Sequence, residues 1–162
     1  MNKKRATLAG GCFWGVEELL RSLPGVLDTQ VGYTGGSLPE PTYRDICTGV
    51  TGHAEAIDIF FDQDKLSFKE LLHFFFRIHD PTTLNRQGND KGTQYRSAIF
   101  FHDQTQEQEA HAVIEEVNKL KRFAAPIVTE VTAFDRFWTA EEDHQDYLQK
   151  YPTGYNCHYL RD

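Results

Sequence analysis

The sequence predicts an α+β fold of the ferredoxin-like, split βαβ kind. The core is an α/β sandwich, with an added helix, an added strand and an irregular C-terminal tail. Two observations predict it. The first six elements read strand, helix, strand, strand, helix, strand, the order that places helices on one face of an open sheet. The chain also has 162 residues, enough for one domain with a full core and too few for two comfortable ones.

The elements follow in order. "RATLA", Arg5 to Ala9, is a short strand ending in Gly10-Gly11. "CFWGVEELLRSL" places Phe13, Val16, Leu19, Leu20 and Leu23 at helical spacing, and Pro24-Gly25 stops it. "VLDTQVGY" returns as a strand before the Gly35-Gly36 turn, and "AEAIDIFFD" is the next, alternating in its first half. "SFKELLHFFFRI" opens on Ser67 with Glu70 three residues later, a capping box, and carries Phe68, Leu71, Leu72 and Phe75 on one face. "RSAIFFH" is a strand, and "TQEQEAHAVIEEVNKL" is an amphipathic helix with Ala110, Val113, Ile114, Val117 and Leu120 inward. "IVTEVTAF" gives a further strand. Thr139 with Glu142 starts a last short helix by the same capping logic, and Pro152 ends it. Residues 1–162 form a single domain, with 151–162 as a mobile tail.

Two connections, Thr34 to Gly52 and Asp80 to Gln94, are long, irregular and rich in Gly, Pro, Asn and Thr. Loops of this length are uncommon in compact domains unless they carry function, so a site is expected there.

Composition excludes several function classes. Forty per cent hydrophobic and 13% aromatic residues suit a packed globular chain rather than a disordered one. A formal charge of −7, with only short basic runs, disfavours a phosphate-binding surface, and no nucleic-acid partner is expected. No apolar run approaches a membrane span, and the start lacks the apolar stretch of a signal peptide. A cytoplasmic location, with no membrane partner, is the expectation. Cys12, Cys47 and Cys157 are an odd number without a C-x-x-C pair, which argues against a disulfide scaffold and against zinc. No cofactor and no metal are expected.

Cys12 draws attention because it sits between Gly10-Gly11 and Phe13-Trp14 where a helix begins. Unpaired N–H groups and the dipole at a helix start favour thiolate over thiol. The alternative is a small buried apolar residue. Phe13 and Trp14 point about 100° apart, so one or both can line a pocket beside the sulfur while the other packs in the core or covers it. Glu55 shares a strand face with Ile57, Ile59 and Phe61. If that face is inward, desolvation raises the Glu55 pKa and makes it a proton donor near neutrality; otherwise it is a wet strand end. Asp90 and Tyr95 lie in the polar loop "NRQGNDKGTQYRS" and Tyr43 in "PTYRD", either as ligand-binding groups or as turn and strand-opening residues. Cys47, beside Ile46, reads as a buried thiol. Cys157, in the tail, is placed to reach a sulfur oxidised elsewhere, or is an exposed free thiol. The seven histidines are given no role.

These residues resemble the peptide methionine sulfoxide reductase A family. "GCFWG" at Gly11 to Gly15, "TGHAEA" at Thr51 to Ala56, "HDPTTLNRQGNDKGTQYRSAIF" at His79 to Phe100 and "AEEDHQDYLQKYPTGY" near the end carry the likeness, which covers essentially the whole chain. The resemblance implies an α+β sandwich with a split βαβ centre. It implies Cys12 as nucleophile, Phe13 and Trp14 as the wall receiving the sulfoxide methyl, and Glu55 as the acid. Tyr43 and Tyr95 would hold the sulfoxide oxygen, and Asp90 would organise the region. It further implies selectivity for the S epimer, a sulfenic acid on Cys12, a Cys12–Cys157 disulfide, and reduction of that disulfide by thioredoxin. Substrates would be oxidised proteins, peptides or free methionine sulfoxide, and the working unit a monomer. The chain departs from some members: Asn156 intervenes between Gly154-Tyr155 and Cys157, and no further tail cysteine follows. A two-cysteine cycle is expected, with Cys47 as the alternative resolver. The competing readings are a thiol peroxidase, a cysteine hydrolase and a redox-controlled module that binds methionine without turnover.

Overall fold

A computed structural model describes residues 2–161; Met1 and Asp162, the last residue of the expected tail, lie outside the described residues. Strands β1 (Lys3–Gly10), β2 (Val26–Thr34), β3 (Ala54–Asp62), β6 (Ser97–Phe101), β7 (Glu130–Ala133) and β8 (Phe137–Thr139) form one sheet in the order β7-β6-β1-β3-β2-β8. Its four central strands are antiparallel, with β1 and β2 both paired to β3 and β6 paired to β1. That is the split βαβ arrangement. The additions are β7, parallel to β6, and β8, antiparallel to β2.

Register explains why this order holds. Val31, Ile57, Leu8 and Ile99 lie directly opposite one another across β2, β3, β1 and β6, an unbroken apolar row, and all four are fully buried. Helices α1 (Phe13–Arg21), α3 (Phe68–Ile78) and α4 (Gln104–Lys119) cover that row. Their Val16, Leu20, Leu71, Leu72, Phe75, Ala110 and Val113 are fully buried in the same core. One period further along the strands the apolar row gives way to Tyr33 opposite Glu55 and Gly10 opposite Ser97. The polar end of the sheet therefore lies where β1 hands over to α1.

Helix starts follow the expected capping chemistry at α3, where Ser67 and Glu70 satisfy each other's backbone N–H groups. Asp103 caps α4 by accepting from the Gln106 N–H at 2.8 Å. Leu120 departs from the expectation: it is the C-cap of α4 and is 60% exposed rather than inward. Short elements inside the long connections escape periodicity altogether. They are α2 (Tyr43–Cys47), capped by a Thr42–Asp45 box, and the hairpin of β4 (Arg86–Gln87) with β5 (Asp90–Lys91), followed by a 3-10 turn at Thr93–Tyr95. Thr139 does not start a helix. It ends β8 opposite Gly32, and the chain then makes a 3-10 turn at Glu142–His144 before α5 (Tyr147–Lys150).

Beyond α5 the chain has no regular structure but is held along its length. The Arg161 N–H donates to the Arg77 carbonyl at 2.7 Å, and the Arg77 guanidinium donates back to the Arg161 carbonyl at 2.8 Å. The His158 ring is bonded to the Gly10 carbonyl at 2.7 Å. The tail thus ties the end of α3 to the start of α1.

Candidate active site

Cys12 is the N-cap of α1, 8% exposed, with no side-chain cap bond of its own. Gly11 turns the chain into the helix at φ +98°, and a Cβ there would meet Gln87 at 2.5 Å, so only glycine fits. The helix start does not make Cys12 a resting thiolate, contrary to the expectation from its position. Burial, and next the charge of Glu55, hold the thiol well above its ordinary pKa; the backbone N–H of Trp14 pulls the other way without prevailing. A thiol removed from water loses more than one helix turn returns.

Glu55 lies on the inward face of β3, as its alternation with Ile57, Ile59 and Phe61 requires, and is 1% exposed. Its Oε1 accepts the Phe13 N–H at 3.2 Å, one of the orphan donors of α1. Its Oε2 is buried with no hydrogen-bond partner among the described residues. Burial lifts the carboxyl to about 8, with the Phe13 N–H opposing and the Asp90 charge adding. At pH 7 Glu55 is therefore mostly a neutral acid, its unpartnered oxygen free to donate.

Tyr43, the first residue of α2, and Tyr95, the last of the 3-10 turn, come to this centre from the two long connections. Burial first, then the Glu55 charge, holds both phenols above their usual range, so both stay protonated donors. Tyr95 senses Glu55, Asp90 and Cys12, and Cys12 senses Asp90 and Cys157, so all of these share one neighbourhood. Asp90 accepts from the Tyr155 hydroxyl at 3.1 Å and faces the Cys157 sulfur at 3.7 Å. All three cysteines are free. Cys47 is not the buried thiol expected from its apolar neighbour. Ile46 takes the inward position of α2, and Cys47, one step round the helix, is exposed beside Tyr43.

The two aromatics after Cys12 divide their work. Phe13 is 1% exposed and packs on Tyr33, Tyr43 and His144, with ring centroids at 5.7, 6.4 and 5.5 Å. Trp14 is half-buried and stacks on Tyr147 at 3.8 Å. Its indole N–H donates to His144 Nδ1 at 3.0 Å. Three residues that sequence reasoning passed over hold this frame. His144 sits between Trp14 and Tyr43, the latter at 4.3 Å. Glu141 accepts from the Tyr33 hydroxyl at 2.8 Å and the Tyr43 N–H at 2.9 Å, and His158 carries the tail. A histidine has no periodic signature, and the signal available was only its place in "EEDHQDY" and "NCHYL".

His144→Ala is expected to free the indole and raise KM about three- to tenfold, the equivalent of one lost hydrogen bond. Steady-state kinetics check this, and an unchanged KM would show that the indole needs no anchor. A cavity of about 390 Å³ lies elsewhere, lined by residues from Val117 to Pro126, and no residue of this centre lines it. Convergent chemistry, rather than cavity size, marks the site.

Comparison with known proteins agrees with the geometry. A family model described as "Peptide methionine sulfoxide reductase" matches residues 4–162. "Peptide methionine sulfoxide reductase MsrA 2" of Rhodopirellula baltica is 54% identical over 158 residues, covering 98% of this chain and 92% of the relative. Among solved structures, Mxr1 from Saccharomyces cerevisiae in reduced form superposes with a TM-score of 0.94 at 40% identity, covering 99% of this chain and 93% of the other. Mxr1 in complex with Trx2 superposes with a TM-score of 0.67 at 28% identity, over 99% and 91% of the two chains.

Proposed function

The chain belongs to the peptide methionine sulfoxide reductase family, and from that premise we propose that it reduces methionine S-sulfoxide, free or within peptides and oxidised proteins, by thiol chemistry at Cys12. One observation carries the reading: a buried carboxyl, neutral at pH 7, keeps an unpartnered oxygen beside a buried thiol. A hydrolase would need a base histidine on Cys12, and the histidines bonded in this region are engaged with Trp14 and Gly10 instead. A peroxide has no apolar group to fill the aromatic wall of Phe13 and Trp14 beside Cys12.

A sulfoxide carries negative charge on oxygen and positive charge on sulfur. Its oxygen takes the free Glu55 position and the hydroxyls of Tyr43 and Tyr95, all three being donors at pH 7. Its methyl group rests on Phe13 and Trp14. The positive sulfur then sits against Cys12 and favours loss of the thiol proton, so nucleophilicity arises with substrate bound. Cys12 attacks while Glu55 protonates the oxygen, general acid and nucleophilic catalysis in one step. The Cys12 S–H and the sulfoxide S–O bond break, the oxygen passes to Cys12 as S–OH, methionine leaves, and the Cys12 proton restores Glu55.

The sulfenic acid then condenses with the Cys157 thiol to a disulfide and water. The tail holding Cys157 moves far enough to let the sulfurs meet, and a thioredoxin reduces the disulfide, a reading supported by the solved Mxr1 complex with Trx2. Electrons arrive through thiols, so no bound cofactor enters. Among the described residues no helix is long and apolar enough to cross a membrane. Three free cysteines in one chain suit a reducing compartment, and we place the enzyme in the cytoplasm.

Single turnover with methionine S-sulfoxide and no reductant tests the reading. Wild type is expected to release one methionine and lose two thiols per chain, while Cys157→Ser releases methionine and forms no disulfide. A disulfide in Cys157→Ser would make Cys47 the resolver, and no methionine from wild type would remove the reductase reading.

A further inference from the structure

The resolving step needs a partner for a proton. Burial first, and the Asp90 charge with it, holds the Cys157 thiol above its ordinary value, and the Tyr155 hydroxyl only partly offsets this. Yet only the thiolate attacks efficiently. The side chain beside it answers the need. His158 is 6% exposed, and its Nε2 lies 2.7 Å from the Gly10 carbonyl. A carbonyl can only accept, so Nε2 carries the proton and Nδ1 keeps its lone pair. That lone pair faces the Cys157 sulfur at 3.7 Å.

The seat of this ring is built from the turn that begins α1. The Asn156 side chain accepts the His158 N–H at 2.9 Å and folds the tail back. A Cβ at Gly15 would lie 2.4 Å from Asn156 Oδ1 and 2.6 Å from His158 Nδ1, and one at Gly11 would lie 3.2 Å from His158 Nε2. Gly11 and Gly15, on either side of Cys12-Phe13-Trp14, leave the room that the imidazole occupies.

We propose that His158 is the general base of the resolving step, seated by the glycines of the Cys12 turn and taking the proton of Cys157 as that sulfur attacks the Cys12 sulfenic acid. The inference rests on the reductase reading. In the step the Cys157 S–H bond and the Cys12 S–O bond break and the S–S bond forms. The proton goes to His158 Nδ1 and on to the departing hydroxide as water. The Cys157 sulfur is oxidised as the sulfenic sulfur is reduced, so no outside oxidant enters.

The surroundings suit a ring that charges only in passing. Burial keeps His158 below the ordinary imidazole range, so it waits neutral. The groups around it are Asp90 from β5, Arg161 from the tail, and His79 from the end of α3. The Asp90 charge favours an imidazolium and Arg161 opposes it, while His79 is itself held neutral, lowered to about 3 by burial. The Cys157 thiol also donates to Asp90 Oδ2, at the same 3.7 Å. A carboxylate is the weaker base by nature, and this one already accepts from Tyr155, so its part is to stabilise the charged ring.

Stopped single turnovers measure methionine release and disulfide formation in each chain, across pH, with the second rate read against the first. His158→Gln keeps an N–H near the Nε2 position for the Gly10 carbonyl but offers no base. It is expected to form the disulfide about 100-fold more slowly at pH 7, the deficit closing as pH approaches the thiol range. His158→Gly is expected to recover disulfide formation when free imidazole is added, which a loss of tail seating alone would not allow. A wild-type rate in His158→Gln, or a loss equal at every pH and indifferent to imidazole, would overturn the base. So would a pH-dependent loss seen in Asp90→Asn and absent from His158→Gln. No methionine from the wild-type chain would remove the reductase reading first and this inference with it.

Discussion

Glu55→Gln is expected to slow methionine release in a single turnover by about 10²- to 10⁴-fold, the range general acid catalysis supplies. Its amide keeps the shape and can accept from the Phe13 N–H, but it has no proton to give an oxygen. The wild-type rate should fall as pH rises through about 8, where burial has placed the carboxyl, and the Gln variant should show no such fall. On stability the same substitution should act in the opposite direction to its effect on rate. The folded-state pKa lies above the ordinary 4.5, so the folded chain holds this proton while the unfolded chain releases it. Folding is unpenalised below about pH 4.5, loses stability steadily above it, and levels off beyond about 8. At pH 7 the penalty is about 3 kcal/mol. Glu55→Gln escapes it, because the neutral acid and the amide leave a comparable polar group unpartnered. Urea unfolding from pH 5 to pH 8 should therefore show the variant gaining on wild type at each step. A constant difference would mean that Glu55 is ionised in the folded chain and cannot be the acid.

This opposition between stability and chemistry also shows what the sequence could reveal. Alternation in "AEAIDIFFD" put Glu55 on one face with Ile57, Ile59 and Phe61, because a strand repeats every two residues, but only the folded sheet shows that this face is inward at Glu55. The split βαβ order, the α3 capping box and most of the buried helix faces were legible for the same reason: regular elements repeat. Residues reaching the centre from irregular chain were not placed by any period. Tyr43 and Tyr95 stood open between ligand-binding and turn roles until the family resemblance gave them one, and α2, at five residues, spans too little to show a helical phase. Position at a helix start suggested a thiolate at Cys12, but the opposing term is burial, which depends on the whole fold. His144 and Glu141 act through partners more than 90 residues away in the chain, at Trp14, Tyr33 and Tyr43. Only folding shows such pairs.

Gly15→Ala should separate folding from function in the opposite part of the site. Gly15 lies within α1, where alanine is favoured over glycine by about 1 kcal/mol. The added methyl cannot coexist with the seated tail, because it would stand 2.4 Å from Asn156 Oδ1 and 2.6 Å from His158 Nδ1. Something must give, and two sides are available. On one side are a helix and the core behind it; on the other is a chain end without regular structure. The end yields more cheaply, so the tail lifts and the domain stays folded. Thermal unfolding is expected at or slightly above the wild-type temperature. Disulfide formation after a single turnover should slow at least tenfold, because Cys157 then searches from an unanchored segment rather than from a fixed position. Steady-state turnover with thioredoxin should fall with it. Wild-type disulfide kinetics in Gly15→Ala would show that resolution draws nothing from the docked tail. A large drop in unfolding temperature would show instead that α1, rather than the tail, gives way.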